Sequence, residues 1–385
     1  PLCLGISLAS GAPLISGVIG GIIGGIVIGF LSNSHVSVSG PAAGLAVTVF
    51  GAIKDLGNFE IFLCAVVVAG CVQLLMGFLK LGGFAKLLPH SVIEGMLASI
   101  GILIVMKQIP YVLGIVKFQG YKELFTNFSH AGMVMGPLVI GLICLVLYII
   151  YNTTSLKTAK IFKTIPFSLM LVILASVLAV TISLPILEEH FVDLGHLENG
   201  SFWEVFKHPD FTYILRYDVL KYGFIIALVA SIETLLCIEA SDKLDPVKRT
   251  TDTNRELKAQ GLGNIISGLI GGIPLTSVIV RTSVNINAGA KSKLSAIIHG
   301  FLLLISIELF PKLLTKIPLT VLAVILVVAG YNLANPKLFK KMISHGYKDF
   351  IPFFATIIGI VSTDLLIGVV IGAVVAAIIH FATKK

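Results

Sequence analysis

The chain has 385 residues, 56% of them hydrophobic and 12% charged, with a formal net charge of +8, and its mean hydropathy is +1.00. A composition this apolar lies outside the range of soluble globular proteins and excludes a soluble enzyme. The positive charge is scattered through short segments between apolar runs, with no stacking or groove-reading motif, so nucleic acid is excluded as a partner.

From Leu2 to Ile53 there is no Asp, Glu, Lys or Arg, and charge-poor runs recur at 124–156, 164–187, 259–290, 294–307, 317–336 and 365–383. About 20 apolar residues span a bilayer as a helix, so the expectation is an all-α polytopic membrane protein embedded in lipid. The first residue is Pro1, already within an apolar run, and the expectation is that a longer protein begins before it. Helices are predicted at 1–11 (incomplete), 13–31, 41–54, 59–79, 86–108, 136–152, 165–184, 219–239, 254–270, 275–288, 293–313, 318–332, 349–363 and 365–382. Of these fourteen, 41–54 and 275–288 are too short to span. The five cysteines (Cys3, Cys64, Cys71, Cys144, Cys237) lie in apolar segments without metal-ligand spacing and read as reduced packing residues. Glycines such as those of Gly17–Gly25 read as sites of close helix approach.

The two short segments carry the main signal. In the first, His35–Ser39 alternates polar and apolar residues and Gly40-Pro41 opens a helix, with Pro41 at its first position. In the second, Gly271-Gly272-Ile273-Pro274 precedes a short helix starting at Leu275 and running through Thr276, Ser277 and Val278 to Arg281. Paired broken segments in corresponding halves point to a midplane site where two half-helix N-termini face an anion. Leu2 precedes Pro41 by about as many residues, about 40, as Glu233 precedes Pro274, which fits two inverted seven-helix repeats. The first repeat is 1–184, the second 218–385, and 185–217 is an external linker loop. That loop holds the lone tryptophan, Trp203, an interfacial anchor by its type.

Glu233 lies in the middle of a predicted span. An intramembrane carboxylate costs about 2.5–3.5 kcal/mol to insert and therefore faces a cavity, an ion or a partner. It reads as the site of proton or sodium coupling, with Cys237 placed beside it; the alternative is a protonated carboxyl that only joins helices. Arg281 would add a positive charge to the half-helix N-termini, suiting sulfate, bicarbonate or a carboxylate; alternatively it pairs with Glu233 or snorkels to the surface. Ser39, Thr276 and Ser277 at the half-helix starts either cap backbone N–H groups or touch substrate. Thr48, Ser283, Asn285 and Asn287 are expected to hydrogen-bond between helices, Glu94 to reach water, and His299 to be a satisfied buried histidine. No P-loop, nucleophile elbow or zinc-protease motif occurs, which argues against ATP-driven transport and membrane-embedded catalysis. With fourteen crossings and a cytoplasmic N-terminus, 18 of the 28 basic residues fall inside, as topology demands. Nine fall outside, Lys54 and Lys221 among them, and the outer loop from residue 107 runs against the trend with three lysines, Lys107, Lys117 and Lys122.

The stretches PLCLGISLASGAP (1–13), VSGPAA (38–43), GGIPLTSVIVRTSVNINAGAKSKL (271–294) followed by SAIIH, and TDLLIGVVIG (363–372) resemble the sulfate permease (SulP) family of inorganic anion transporters. The resemblance covers essentially the whole chain. It implies fourteen segments in two inverted repeats, a moving core of helices 1–4 and 8–11, a gate of helices 5–7 and 12–14, and an elevator-like motion. It implies that an anion binds at Ser39, Gly40, Pro41 and Ala42 and at Leu275 to Val278, with Arg281 matching a basic position of some members. Leu2, where several members carry Gln or Glu, and Ile6 are counted with these. Glu233 falls where members carry an eighth-helix carboxylate, Asp in some sodium-coupled and Glu in some proton-coupled members, so Na+ or H+ is the implied coupling ion. Most members continue into a cytoplasmic STAS domain, whereas this chain ends at Lys385; either that domain was cut away or this is a minimal member that dimerises through its membrane domain. A bacterial inner membrane is the implied location, and no other cofactor is implied. Sulfate is the first expected substrate and bicarbonate the second; an uncoupled exchanger or channel and a nucleobase-type transporter remain alternatives.

Overall fold

The computed structural model describes residues 1–83, 89–115, 134–154, 166–181, 185–194, 206–363 and 365–382. The first broken segment follows two helices, α1 (Leu2–Ala9) and α2 (Leu14–Leu31). α2 widens into a π-helical turn over Gly24–Ile28. There the bare backbone of Gly25 meets that of Gly300, and a Cβ on Gly25 would stand 2.5 Å from the Gly300 Cα. Close approach through small residues is the role expected of membrane glycines.

Next come strand β1 (Ser39–Pro41), helix α3 (Ala43–Leu56), α4 (Phe59–Phe78) and α5 (His90–Val112). α3 stops because Gly57 takes a left-handed conformation (φ 76°), open to glycine at no steric cost. α4 starts where the Asn58 side chain accepts the Glu60 N–H at 2.9 Å. α6 (Met135–Thr153) and α7 (Phe167–Thr181) complete the first half. The second half holds α8 (Tyr217–Leu244), α9 (Thr253–Leu269), strand β2 (Leu275–Ser277), α10 (Ile279–Asn287), α11 (Leu294–Leu309), α12 (Leu319–Leu333), α13 (Tyr347–Ser362) and α14 (Leu365–Ala382). Among the described residues, six stretches are long and apolar enough to cross a membrane: Leu14–Leu31, Phe59–Phe78, His90–Val112, Met135–Thr153, Tyr217–Leu244 and Leu319–Ser344. Trp203 and residues 195–205 lie outside the described residues.

The most extensive helix contacts join α9 and α8 to α4 on one side, and α12 and α13 to α5, and α14 to α13, on the other. α1 touches α12, and α3 touches α5 where the two sets meet. Buried side chains from both sets, such as Phe62 and Leu45 with Ile100, Ile104 and Leu326, share one apolar cluster.

Both broken segments depart from their predicted form. Pro41 is the last residue of a strand, not the first of a helix, and α3 begins two residues later with Ala42 as its N-cap. Leu275–Ser277 is likewise a strand, and α10 begins only at Ile279. The strands pair antiparallel, Ser39 with Ser277, Gly40 with Thr276 and Pro41 with Leu275. Pairing gives their backbone groups partners inside the apolar layer, which a helix start would have left exposed. Two smaller readings also change: Cys71 is exposed, unlike the other four cysteines, and His299 Nδ1 has no hydrogen-bond partner.

Candidate functional site

Because the strands are antiparallel, the helices that follow them leave in opposite directions, and the N-termini of α3 and α10 lie at opposite ends of one short ladder, about 10 Å long at a strand's rise per residue. Side chains alternate across such a ladder, so it has two unlike faces.

One face carries Ser39, Pro41, Leu275 and Ser277 and is turned to α9. Gln260 donates from Nε2 to Ser39 Oγ at 2.8 Å, to Glu256 at 3.0 Å and to Ser277 Oγ at 3.3 Å. Ser32 donates to Glu256 Oε2 at 2.5 Å. Asn264 accepts the Leu275 N–H at 2.8 Å and donates to the Leu275 carbonyl at 3.1 Å, standing in for a further strand, while its amide also reaches Gln73 at 2.6 Å. Ser267 donates to the Ile273 carbonyl at 2.9 Å. Glu256, Gln260, Asn264 and Ser267 are all fully buried. None of these four is among the predicted site residues; the signal that marks them is their spacing of four, four and three residues, which puts them on one face of a helix.

The other face carries Gly40 and Thr276 and receives Arg281. A Cβ on Gly40 would stand 2.6 Å from Arg281 Nη1, so the guanidinium rests on a surface that only glycine leaves open. Arg281 Nη2 donates to the Pro41 carbonyl at 3.3 Å and lies 3.4 Å from Cys3 Sγ. Its buried Nε has no partner among the described residues. Arg281 and Glu233 make no ion pair among the described residues. Glu233 instead lies against the start of α3, where a Cβ on Gly44 would be 2.7 Å from both carboxylate oxygens. Its Oε2 is buried without a partner. An anionic side chain is favoured at a helix N-terminus, where unpaired N–H groups converge.

The predicted site residues are therefore divided. Gly40, Thr276, the Pro41 carbonyl and Arg281 stay together; Ser39 and Ser277 turn their hydroxyls into the α9 network, and neither α3 nor α10 has a side-chain cap among the described residues. Ala42 and Val278 are the backbone N-caps, and the Val278 N–H is already taken by the Val38 carbonyl at 3.0 Å. The Ser277 N–H meets Thr234 Oγ1 at 3.3 Å. Ile6 is buried in the apolar cluster shared with Leu45 and Leu326, and half-buried Leu2 packs on a second cluster; it is Cys3, between them in register, that meets Arg281. Cys237 faces Thr282 Oγ1 at 3.8 Å. Among the helix-joining candidates, Asn285 bonds the Val36 carbonyl at 2.9 Å, Ser283 bonds only its own helix, and the Thr48 hydroxyl has no partner. Glu94 pairs with His90 at 3.3 Å. Among the described residues no group of three or more His, Cys, Asp or Glu could hold a metal ion.

Two discontinuous segments meet within a helical membrane protein beside one carboxylate and one guanidinium that has no carboxylate partner among the described residues, the arrangement that secondary transporters build at the midplane. The chain belongs to the Sulfate permease family, which it matches over residues 1–356. It is 29% identical to YvdB of Bacillus subtilis (strain 168), which carries a provisional sulfate-transporter name, over 98% of this chain and 70% of that protein. It is 26% identical to the bicarbonate transporter BicA of Picosynechococcus sp., over 98% of this chain and 67% of that one. The solved transmembrane domain of a cyanobacterial bicarbonate transporter BicA has the same fold, with a TM-score of 0.76 over 97% of this chain and 93% of that one at 23% identity.

Proposed function

We propose that this protein is a secondary active transporter of a small inorganic oxyanion, sulfate first and bicarbonate second, driven by a proton or sodium gradient through Glu233. The observation that carries the proposal is Arg281: a guanidinium on the Gly40 and Thr276 face of the ladder, with no carboxylate partner among the described residues and a buried Nε left unpartnered. Membership of the sulfate permease family and its similarity to proteins named as sulfate and bicarbonate transporters favour the same substrate class. An Arg fork offers an oxyanion two parallel charge-assisted hydrogen bonds, and the ladder backbone and the N-terminus of α3 supply the dipoles around it.

In this reading the chain crosses the membrane fourteen times as two inverted repeats, 1–184 and 218–385, joined outside by 185–217, with a cytoplasmic N-terminus in a bacterial inner membrane. α1–α4 and α8–α11 would carry the site as one body against α5–α7 and α12–α14. The packing preferences support that division, since the strongest contacts fall within each set. Glu233 would hold the coupling ion one half-helix away from Arg281, so that cation and anion move together.

One observation favours a second reading, exchange or conduction without coupling: the dipole of α3 alone accounts for a carboxylate beside Gly44. Uptake of labelled sulfate into proteoliposomes under an inward proton gradient, an inward sodium gradient and no gradient separates the two. Coupling through Glu233 requires that a gradient stimulate wild-type uptake and that Glu233→Gln abolish the stimulation. If Glu233→Gln keeps the gradient dependence of the wild type, coupling does not run through Glu233.

A further inference from the structure

Lys54, Lys107 and Lys221 run against the rule that places basic residues on the cytoplasmic side, and the strand-ladder site uses none of them. Two of them line one cavity. Lys107 of α5 and Lys221 of α8 face a space of about 430 Å³ that is walled also by α3 and the facing ends of α13 and α14. This volume is within the range of small-molecule sites. Neither ammonium has a carboxylate partner among the described residues. Lys107 stands over the Phe50 ring, 3.5 Å from its centroid, and Lys221 lies 5.8 Å from the centroid of Tyr222. The Asp55 carboxylate also lines the cavity, but it accepts a hydrogen bond from the Tyr222 hydroxyl.

The deep end is polar as well. Thr48 of α3 lines the same space with its hydroxyl buried. Thr48 lies one helical turn beyond Gly44, the residue against which Glu233 rests. The cavity therefore runs from two ammonium groups at the end of α8 opposite its basic loop toward the start of α3.

We propose that this cavity is a second, outer anion site, in which Lys107 and Lys221 hold a small inorganic oxyanion before it reaches the ladder. The chemical class of the ligand rests on the proposed transport function; the existence of the site does not. Two ammonium groups at a low-dielectric cleft concentrate anions near its mouth and speed their capture.

The test is acylation of the purified full chain in liposomes by a membrane-impermeant amine reagent, read by mass spectrometry in sulfate, in bicarbonate and in gluconate of equal ionic strength. Sulfate or bicarbonate is expected to slow acylation of Lys107 and Lys221 by about tenfold, the effect of one strong charge-assisted contact, while leaving the exposed Lys312 and Lys316 unchanged. Equal acylation in all three salts overturns the site. Lys107→Met is expected to raise the external KM for uptake about tenfold, with Lys107→Arg restoring it. If the liposomes accumulate neither oxyanion yet sulfate still protects both lysines, the transport reading falls and the site stands. If uptake is normal and protection is absent, the site falls and the transport reading stands.

Discussion

Two glycines set the positions of the two charges at the ladder. Gly44 has no room for a Cβ beside the Glu233 carboxylate, and Gly40 has none beside the Arg281 guanidinium. In Gly44→Ala the carboxylate must leave the start of α3, losing the roughly 0.3–2 kcal/mol an anionic side chain gains there. Gradient-stimulated uptake should accordingly fall by between about twofold and thirtyfold, and unchanged stimulation would show that the contact is incidental. Gly40→Ala meets the far end of a flexible side chain, so Arg281 swings aside; the KM for the anion should rise more than the maximal rate falls. Glu233 and Arg281 were legible in the sequence because a lone charge in a long apolar run needs a physical reason. The contact of Cys3 with Arg281 was not, since nothing in an apolar run marks which residue a fold will bring against a charge 278 positions away.

At the scale of elements, local sequence failed where the partner was distant. Gly40-Pro41 and Pro274-Leu275 are both acceptable helix openings by local preference, yet each forms a strand because the other is there to pair with it. That choice is made by a contact more than 230 residues apart in the chain, which no local pattern encodes. α9 is legible as a helix, but Gln260, Asn264 and Ser267 carry no charge to mark them as buried, so its polar face is not. Asn264→Leu leaves the Leu275 N–H and carbonyl unpaired, and at about 1–3 kcal/mol for each buried group the fold should lose about 2–6 kcal/mol. Thermal unfolding in detergent would register this as a lower Tm; an unchanged Tm would mean that water replaces the amide. The linker between α8 and α9 gives a pH-dependent counterpart. Arg249 holds Asp245 from two sides, Nε to Oδ2 at 2.7 Å and Nη2 to Oδ1 at 3.1 Å, and also donates to the Lys291 carbonyl at 3.0 Å. The guanidinium pulls the Asp245 carboxyl from its ordinary 3.8 down to about 2. A depressed carboxyl stabilises the folded chain above its unfolded value and loses that contribution as pH falls through its folded one. Asp245→Asn should therefore lower the Tm at neutral pH, with the gap from wild type closing between about pH 4 and pH 2; a constant gap over that window would remove the ion pair as its cause.

For the whole molecule, composition sufficed to identify an integral membrane protein, and the paired Gly-Pro breaks marked the two segments that meet, though not the ladder they form. What sequence could not give was the ladder's two-sidedness, which assigns Ser39 and Ser277 to a structural network and Gly40, Thr276 and Arg281 to the opposite face. The central claim is that this second face binds an inorganic oxyanion which the protein moves across the bilayer. Accumulation of labelled sulfate in proteoliposomes, measured for the wild type and for Arg281→Gln, tests it most directly. The account predicts concentrative, saturable uptake that Arg281→Gln lowers at least about tenfold, as the loss of a bidentate charge-assisted contact requires. Uptake in Arg281→Gln equal to that of the wild type, or no accumulation of sulfate or bicarbonate by the wild type under any gradient, would contradict it.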